Sequence, residues 1–197
     1  MATVYSSASM SLDGFIAYDD HNPGALFDWY QAGDIEVTTA MDSVTFHLTP
    51  PSADHVRELV LRLGALVVGR RLFDVTDGWN GRHPYDVPVV VMTHEPPTDW
   101  HYPGEKNFHF VTEGIEAAVR VARTIAGGRD VSVAAGEVAT QALGAGLLDE
   151  VRIDLAPVVL GSGRPYFTGG ATVDLDDPTT LIQTARVTHL VYPVRRG

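Results

Sequence analysis

Two arginines stand directly behind a glycine at the end of an apolar run, Val67-Val68-Gly69-Arg70-Arg71-Leu72-Phe73. Arginine suits an anion such as phosphate, because its planar fork makes paired hydrogen bonds and its charge persists at neutral pH. The glycine would let a ligand come close to the backbone. The same pair can also be read as ordinary surface charges on a short helix. A second apolar run ends on Met92-Thr93-His94-Glu95-Pro96-Pro97. Its hydroxyl and imidazole suit a ribose or a phosphate, or simply a polar loop, and the prolines forbid further strand. A third run, Val133-Ala134-Ala135-Gly136-Glu137-Val138-Ala139-Thr140, passes from small residues into a helix start. Free N–H groups and the macrodipole favour an anion there, although tight helix–strand packing selects small residues too. Glu137 would repel a phosphate through its side chain, so contacts at this junction must come from the main chain.

These junctions need a scaffold, and the hydrophobic pattern supplies one. Val4 to Met10 reads as a first strand, followed by a turn at Asp13-Gly14. Residues 18 to 50 read as a long polar, irregular loop, and a loop of that length in a compact domain usually has a functional task. After Ser52, a candidate N-cap, Val56, Leu59, Val60 and Leu63 recur at helical spacing. Ala65 to Val68, Val87 to Met92, Phe108 to Val111 and Val131 to Ala134 read as short buried strands. A helix with Ile115, Ala118, Val119, Ala122 and Ile125 on one face comes before the last of them, and Gly136 opens another that runs to about Gly146. Strands are then expected at Glu150 to Leu160, Leu181 to Thr188 and His189 to Val194. Continuously apolar strands separated by helices predict an α/β fold. Its central sheet is mostly parallel, flanked by helices, and the C-terminal strands are antiparallel. In such sheets ligands collect beyond the carboxyl ends of the strands, where all three junctions fall.

The 197 residues are read as one domain spanning 1–197. A formal charge of −11 argues against nucleic acid as partner but leaves room for a phosphorylated small ligand held by a local cluster of cations. The chain has no cysteine, which removes disulfides, thiolate nucleophiles and iron–sulfur clusters. The eight histidines show no ligating spacing, so no metal is expected. With no apolar run of ~20 residues and no signal-like N-terminus, no membrane partner is expected and the expected address is cytoplasmic. Gly161-Ser162-Gly163-Arg164-Pro165-Tyr166 lacks the third glycine of a dinucleotide fingerprint, and Pro165 stands where a helix would begin.

In order, Ser11-Leu12-Asp13-Gly14-Phe15-Ile16-Ala17, then Gly69-Arg70-Arg71-Leu72-Phe73-Asp74, then Gly136 with its helix, resemble the reductase domain of riboflavin biosynthesis. The most specific stretches are Ala145-Gly146-Leu147-Leu148-Asp149-Glu150 and Ala156-Pro157-Val158-Val159-Leu160-Gly161-Ser162-Gly163. The resemblance implies the dihydrofolate-reductase-like fold, NADPH as cofactor, hydride transfer to a small heterocyclic or carbonyl substrate, and a homodimer. It puts Gly69, Arg70 and Arg71 at the cofactor phosphates, and Thr93 and His94 near the 2′-phosphate. Gly136, Glu137, Val138 and Ala139 fall at the pyrophosphate, and the backbones of Ser9 and Ile16 at the nicotinamide carboxamide. For the substrate end it implies Asp54, at the place of the pterin-binding acid of dihydrofolate reductase, and Glu150.

Departures from the family pattern bear on the substrate. Leu72 replaces a usual threonine and Ala135 a usual glycine. Ser7 and Phe15 stand where riboflavin-pathway members carry basic residues, which argues against their ribose-phosphate substrate. Asp54 can also be read as helix N-terminal charge, Asp13 as a turn former and Glu150 as a strand-start bond. Asp28, Trp29 and Tyr30 are candidates to line a pocket for a flat ring, or to plug the core. The alternative to an enzyme is a non-catalytic NADP- or flavin-binding protein.

Overall fold

The computed structural model describes residues 2–41, 43–170 and 172–195. Strands β1 (Val4–Met10) and β2 (Phe15–Ala17) come first, followed by a 3-10 helix, Gly24–Gln31. A hairpin of β3 (Ile35–Thr38) and β4 (Thr45–Leu48) leads into α1 (Pro50–Arg62), β5 (Leu63–Gly69) and α2 (Arg70–Val75). Next are β6 (Val89–Met92), β7 (Phe108–Val111), α3 (Ile115–Ala126), β8 (Asp130–Ala134) and α4 (Glu137–Gly144). The chain closes with β9 (Glu150–Leu155), β10 (Arg164–Pro165), β11 (Thr180–Thr184) and β12 (Val187–Pro193).

Eight strands form one sheet in the order β11-β12-β9-β1-β8-β5-β6-β7. From β9 to β7 all neighbours are parallel, while β12 and β11 add on antiparallel. This is the predicted architecture. Valine dominates the middle strands because both faces are covered: Val67, Val131 and Val133 pack against α3 and α4, while Val68, Val89 and Val91 face the opposite layer. Fully burying such a side chain stabilises the fold by roughly 1.5–3 kcal/mol, so these strands form the rigid part of the molecule.

Four expectations need correction. Residues 18 to 50 are not irregular, since they hold the 3-10 helix and the β3–β4 hairpin. Ile35 and Val37 alternate with polar neighbours and face the same small core as Trp29 and Leu48. The Glu150 strand stops at Leu155, and the turn between the last two strands falls at Arg186, whose φ of 64° sets it. Ser52 does not cap α1. The helix begins with Pro50 and Pro51, whose missing N–H groups cost nothing at a helix start, and the Ser52 hydroxyl points inward to His189.

Candidate functional site

A cleft of about 1590 Å³ runs along the carboxyl tips of the parallel strands and down the sheet face beneath α1. The three sequence junctions meet in it: Gly69, Arg70 and Arg71 after β5, Thr93 and His94 after β6, and Gly136, Glu137 and Val138 after β8 all line its walls. Ser9 and Ile16 line it as well. Ala139 does not, because its side chain is turned into the core and fully buried.

At the strand-tip end the grips differ in how free they are. Arg70 is tied down, with Nε donating to Asp74 at 2.7 Å and Nη1 to the Glu95 carbonyl at 2.6 Å. Arg71 crosses the cleft, its Nε donating to Nε2 of His21 at 2.8 Å. Arg164 stands nearby, donating to the Asp19 carbonyl. The basicity of His21 is lowered by burial and then by the charges of Arg71 and Arg164. Arg71 and Arg164 thus bring two positive charges to this mouth of the cleft, partly opposed by the carboxylates of Asp20 and Asp19. Thr93 spends its hydroxyl on its own loop, donating to the Glu95 carbonyl and accepting from the Glu95 N–H.

Helix α4 supplies a different kind of donor. Gly136 caps it at φ 94°, a conformation open to glycine, and its N–H is already bonded to the Tyr166 carbonyl at 2.7 Å. The next three N–H groups, of Glu137, Val138 and Ala139, have no partner within the helix and no side-chain cap. Gly69 holds this helix in place. A Cβ on it would meet Val138 Cγ2 at 2.9 Å, so the glycine permits close packing of α4 on the tip of β5.

The inner end of the cleft is aromatic. Trp29, Tyr30 and Phe46 stack in series, with centroids 4.0 and 4.3 Å apart, and Trp79, His83 and Tyr85 form a second edge-to-face group. The Trp29 indole N–H donates to the Ser9 hydroxyl at 3.0 Å. Burial pushes His83 down to about 4, so it stands neutral near pH 7. Asp28, by contrast, is exposed and pairs with Arg186.

Neither carboxylate expected at the substrate end reaches the cleft. The Asp54 side chain is 83% exposed on the outer face of α1, beside Arg57; the residues of that turn which face inward are Ser52, Ala53 and Val56. Glu150 lies behind the cleft wall and holds Arg152, whose guanidinium covers the Tyr5 ring at 3.6 Å. Of the acids that line the cleft, Asp154 is the one on the central sheet, register partner of both Ser9 and His189. His189 is fully buried, with Nδ1 2.6 Å from Asp154 and Nε2 2.9 Å from the Ser52 hydroxyl. The alternation of Val151, Ile153 and Leu155 with Arg152 and Asp154 is the signal that could have found it: the acid faces away from the side covered by α3 and α4.

His55, Asp154 and His189 place donor atoms within 4.8 Å of one another, a spacing that can hold a metal. The rings of His55 and His189 are, however, stacked at 4.4 Å and 29°, so their in-plane lone pairs run side by side instead of converging. Both nitrogens of His189 are also engaged. Ser52, His189 and Asp154 form a hydrogen-bonded chain, with the His55 ring stacked on it.

The profile of the family described as the RibD C-terminal domain matches residues 2–190. Among curated proteins no sequence matches the chain. A protein assigned to riboflavin biosynthesis from Shewanella sp. PV-4 superposes with a TM-score of 0.71 at 20% identity, covering 98% of this chain and 99% of that one. A pyrimidine reductase-like protein from Corynebacterium diphtheriae gives 0.64 at 13% identity over 100% and 93% of the two chains. Dihydrofolate reductase from Enterococcus faecalis, complexed with NADP(H), gives 0.60 at 14% identity over 98% and 97%. At these identities the superpositions establish a common fold, that of dihydrofolate reductase.

Proposed function

The chain belongs to the RibD C-terminal domain family, and on that premise we propose that it is an NADPH-dependent reductase of a small heterocyclic or carbonyl substrate. One observation carries the reading. A single cleft joins an anion cradle at the strand tips to an aromatic chamber at its inner end, with Ser9 and Ile16 between them. A dinucleotide needs the first, a flat ring the second, and hydride transfer needs the two in contact.

The residues present fit the cofactor. Free N–H groups at the start of α4 suit the pyrophosphate, and Arg71 and Arg164 supply charge at the mouth. Arg70 and its neighbours carry the preference for NADPH over NADH. When bound, the nicotinamide supplies the hydride; the protein positions the ring and excludes water from the chamber.

The test has two parts. NADPH and NADH are titrated by fluorescence, and loss of nicotinamide absorbance is followed with a panel of pteridines and pyrimidines. Tighter binding of NADPH and turnover of one panel member support the reading. Equal affinity removes the NADPH preference. The second reading, a non-catalytic NADP-binding protein, is favoured by the tethering of Arg70 and the closed Gly136 N–H; it predicts binding with no turnover.

A further inference from the structure

The turn that follows β2 reaches over the cleft mouth, where Asp20, His21 and Asn22 line the wall. Tyr18 to Gly24 fold back on themselves: the Tyr18 N–H donates to the Asn22 carbonyl and the His21 N–H to the Tyr18 carbonyl, both at 2.9 Å. Two side chains staple the same turn, Asp20 accepting the Asn22 N–H and Asn22 accepting the Gly24 N–H. Arg164 of β10 joins it through the Asp19 carbonyl. His21 sits at the corner with φ 71°, a left-handed conformation that glycine or asparagine adopts more easily. Such strain persists only where the surroundings hold it, and here it aims the imidazole at α2. Arg71, the second residue of α2, meets the ring with Nε 2.8 Å from Nε2.

Only one protonation state makes that bond. A guanidinium has donors and no acceptor, so Nε2 of His21 offers its lone pair and Nδ1 carries the proton. A second proton on the ring would set one N–H against another, beside two arginines. The charged groups that face His21 are Arg71 of α2, Arg164 of β10, and Asp20 and Asp19 of its own turn. Burial and then the two arginines lower its basicity, while the two carboxylates act the other way. In this arrangement the ring is neutral near pH 7 and Arg71 is engaged by it. A phosphate between them reverses the balance. It draws the Arg71 fork to itself by charge-assisted bonds, frees Nε2, and favours the imidazolium by its own charge.

Resting on the reductase reading, in which cofactor phosphates occupy this mouth, we propose that Arg71 and His21 form a proton-operated latch. Neutral His21 holds Arg71 across the cleft. When a cofactor phosphate arrives, Arg71 turns to it, Nε2 takes a proton from solvent, and the imidazolium becomes a further cationic ligand beside Arg71 and Arg164. Cofactor binding is thereby coupled to proton uptake. The free protein holds the ring below its ordinary value of 6.5, and the phosphate raises it. Affinity therefore rises as pH falls between the free and bound values, and levels off outside them.

Calorimetric titration of NADPH at about pH 7, in two buffers of different ionisation enthalpy, counts the protons directly. Wild type should take up more protons per cofactor than His21→Asn, by up to about one; asparagine suits the left-handed corner, so the turn survives the substitution. From about pH 8.5 down to 6, wild-type affinity should gain up to about tenfold per pH unit relative to that variant. The cofactor's own 2′-phosphate titrates near about pH 6 in both proteins and drops out of the comparison. By NMR, the His21 ring of the free protein should titrate at higher pH in Arg71→Ala than in wild type, and NADPH should raise it in wild type. Equal proton uptake by wild type and His21→Asn, or a His21 titration that Arg71→Ala leaves unmoved, overturns the latch. If NADPH does not bind at all, the reductase reading goes and inorganic pyrophosphate becomes the probe. Pyrophosphate bound with a proton uptake that His21→Asn removes keeps the latch; any other outcome overturns it as well.

Discussion

Replacing Gly69 by alanine puts one methyl between β5 and α4. Gly69 has φ −82° and ψ 159°, ordinary extended backbone, so the substitution costs nothing in conformation and acts by contact alone. The new Cβ would lie 2.9 Å from Val138 Cγ2, against a comfortable carbon–carbon separation of roughly 3.5–4.0 Å. Val138 is β-branched and held near one rotamer in its helix, so it cannot simply swing away. The first turn of α4 must move instead, by roughly 0.6–1 Å, and overpacking of this kind costs about 1–3 kcal/mol. The Val138 N–H is one of the donors proposed for the pyrophosphate, so on that proposal the cost should appear in the cofactor equilibrium. NADPH affinity is expected to fall about 5- to 150-fold, at 1.4 kcal/mol per factor of ten. Fluorescence titration of Gly69→Ala, Val138→Ala and the double variant closes a cycle: Val138→Ala alone should bind nearly as wild type, and adding it to Gly69→Ala should restore most of the loss. Unchanged affinity in Gly69→Ala, or a double variant as weak as the single one, refutes the reasoning.

Other predictions concern charge. Arg71→Ala should weaken NADPH about 10- to 100-fold by removing a charged donor from the mouth, with the melting temperature unchanged; an unchanged NADPH affinity in fluorescence titration would contradict that role. His83 has a pKa of about 4 in the fold against 6.5 unperturbed, so the folded state binds fewer protons. Its contribution is present above pH 6.5 and is lost as pH falls through about 4, to the extent of roughly 3 kcal/mol. Denaturant unfolding at pH 7.5 and 4.5 should show the decline in wild type and a shallower one in His83→Phe. Asp13 accepts the N–H groups of Leu160 and Gly161, and its carboxyl is held down at about 2, first by the Ser11 hydroxyl and then by these amides. Asp13→Asn should therefore melt below wild type at neutral pH, and the gap should close as pH falls from about 4 toward 2; a gap constant over that range would contradict the assignment.

What the sequence made legible was whatever a local rule controls. Short valine-rich runs between glycines can only be buried strands of a two-sided sheet, and the strand tips followed from them, together with Gly69, Arg71 and the start of α4. The hairpin at Ile35 to Leu48 was hidden because its strands are four residues each and partly exposed, too short for alternation to stand out from a polar loop. The carboxylate of the chamber was hidden for a different reason. Asp54 sits at the right point in the chain, but the rotation of α1 turns Ser52, Ala53 and Val56 inward and leaves Asp54 in water. Asp154 and His189 face each other only because β12 pairs antiparallel with β9 in one register, and a pairing between distant strands leaves no mark in either segment alone. Asp13 was read as a turn former; it also staples two loops 147 residues apart.

The central claim is that a dinucleotide lies across the tips of β5, β6 and β8 and reaches Ser9. A diffraction structure of the NADPH complex tests it most directly. The account predicts the pyrophosphate within hydrogen-bond distance of the Glu137 to Ala139 N–H groups, Arg71 swung from His21 to a phosphate, and the nicotinamide beside Ser9 and Ile16 with Asp154 facing the chamber next to it. A cofactor bound elsewhere, or one whose nicotinamide points away from the aromatic chamber, contradicts the account.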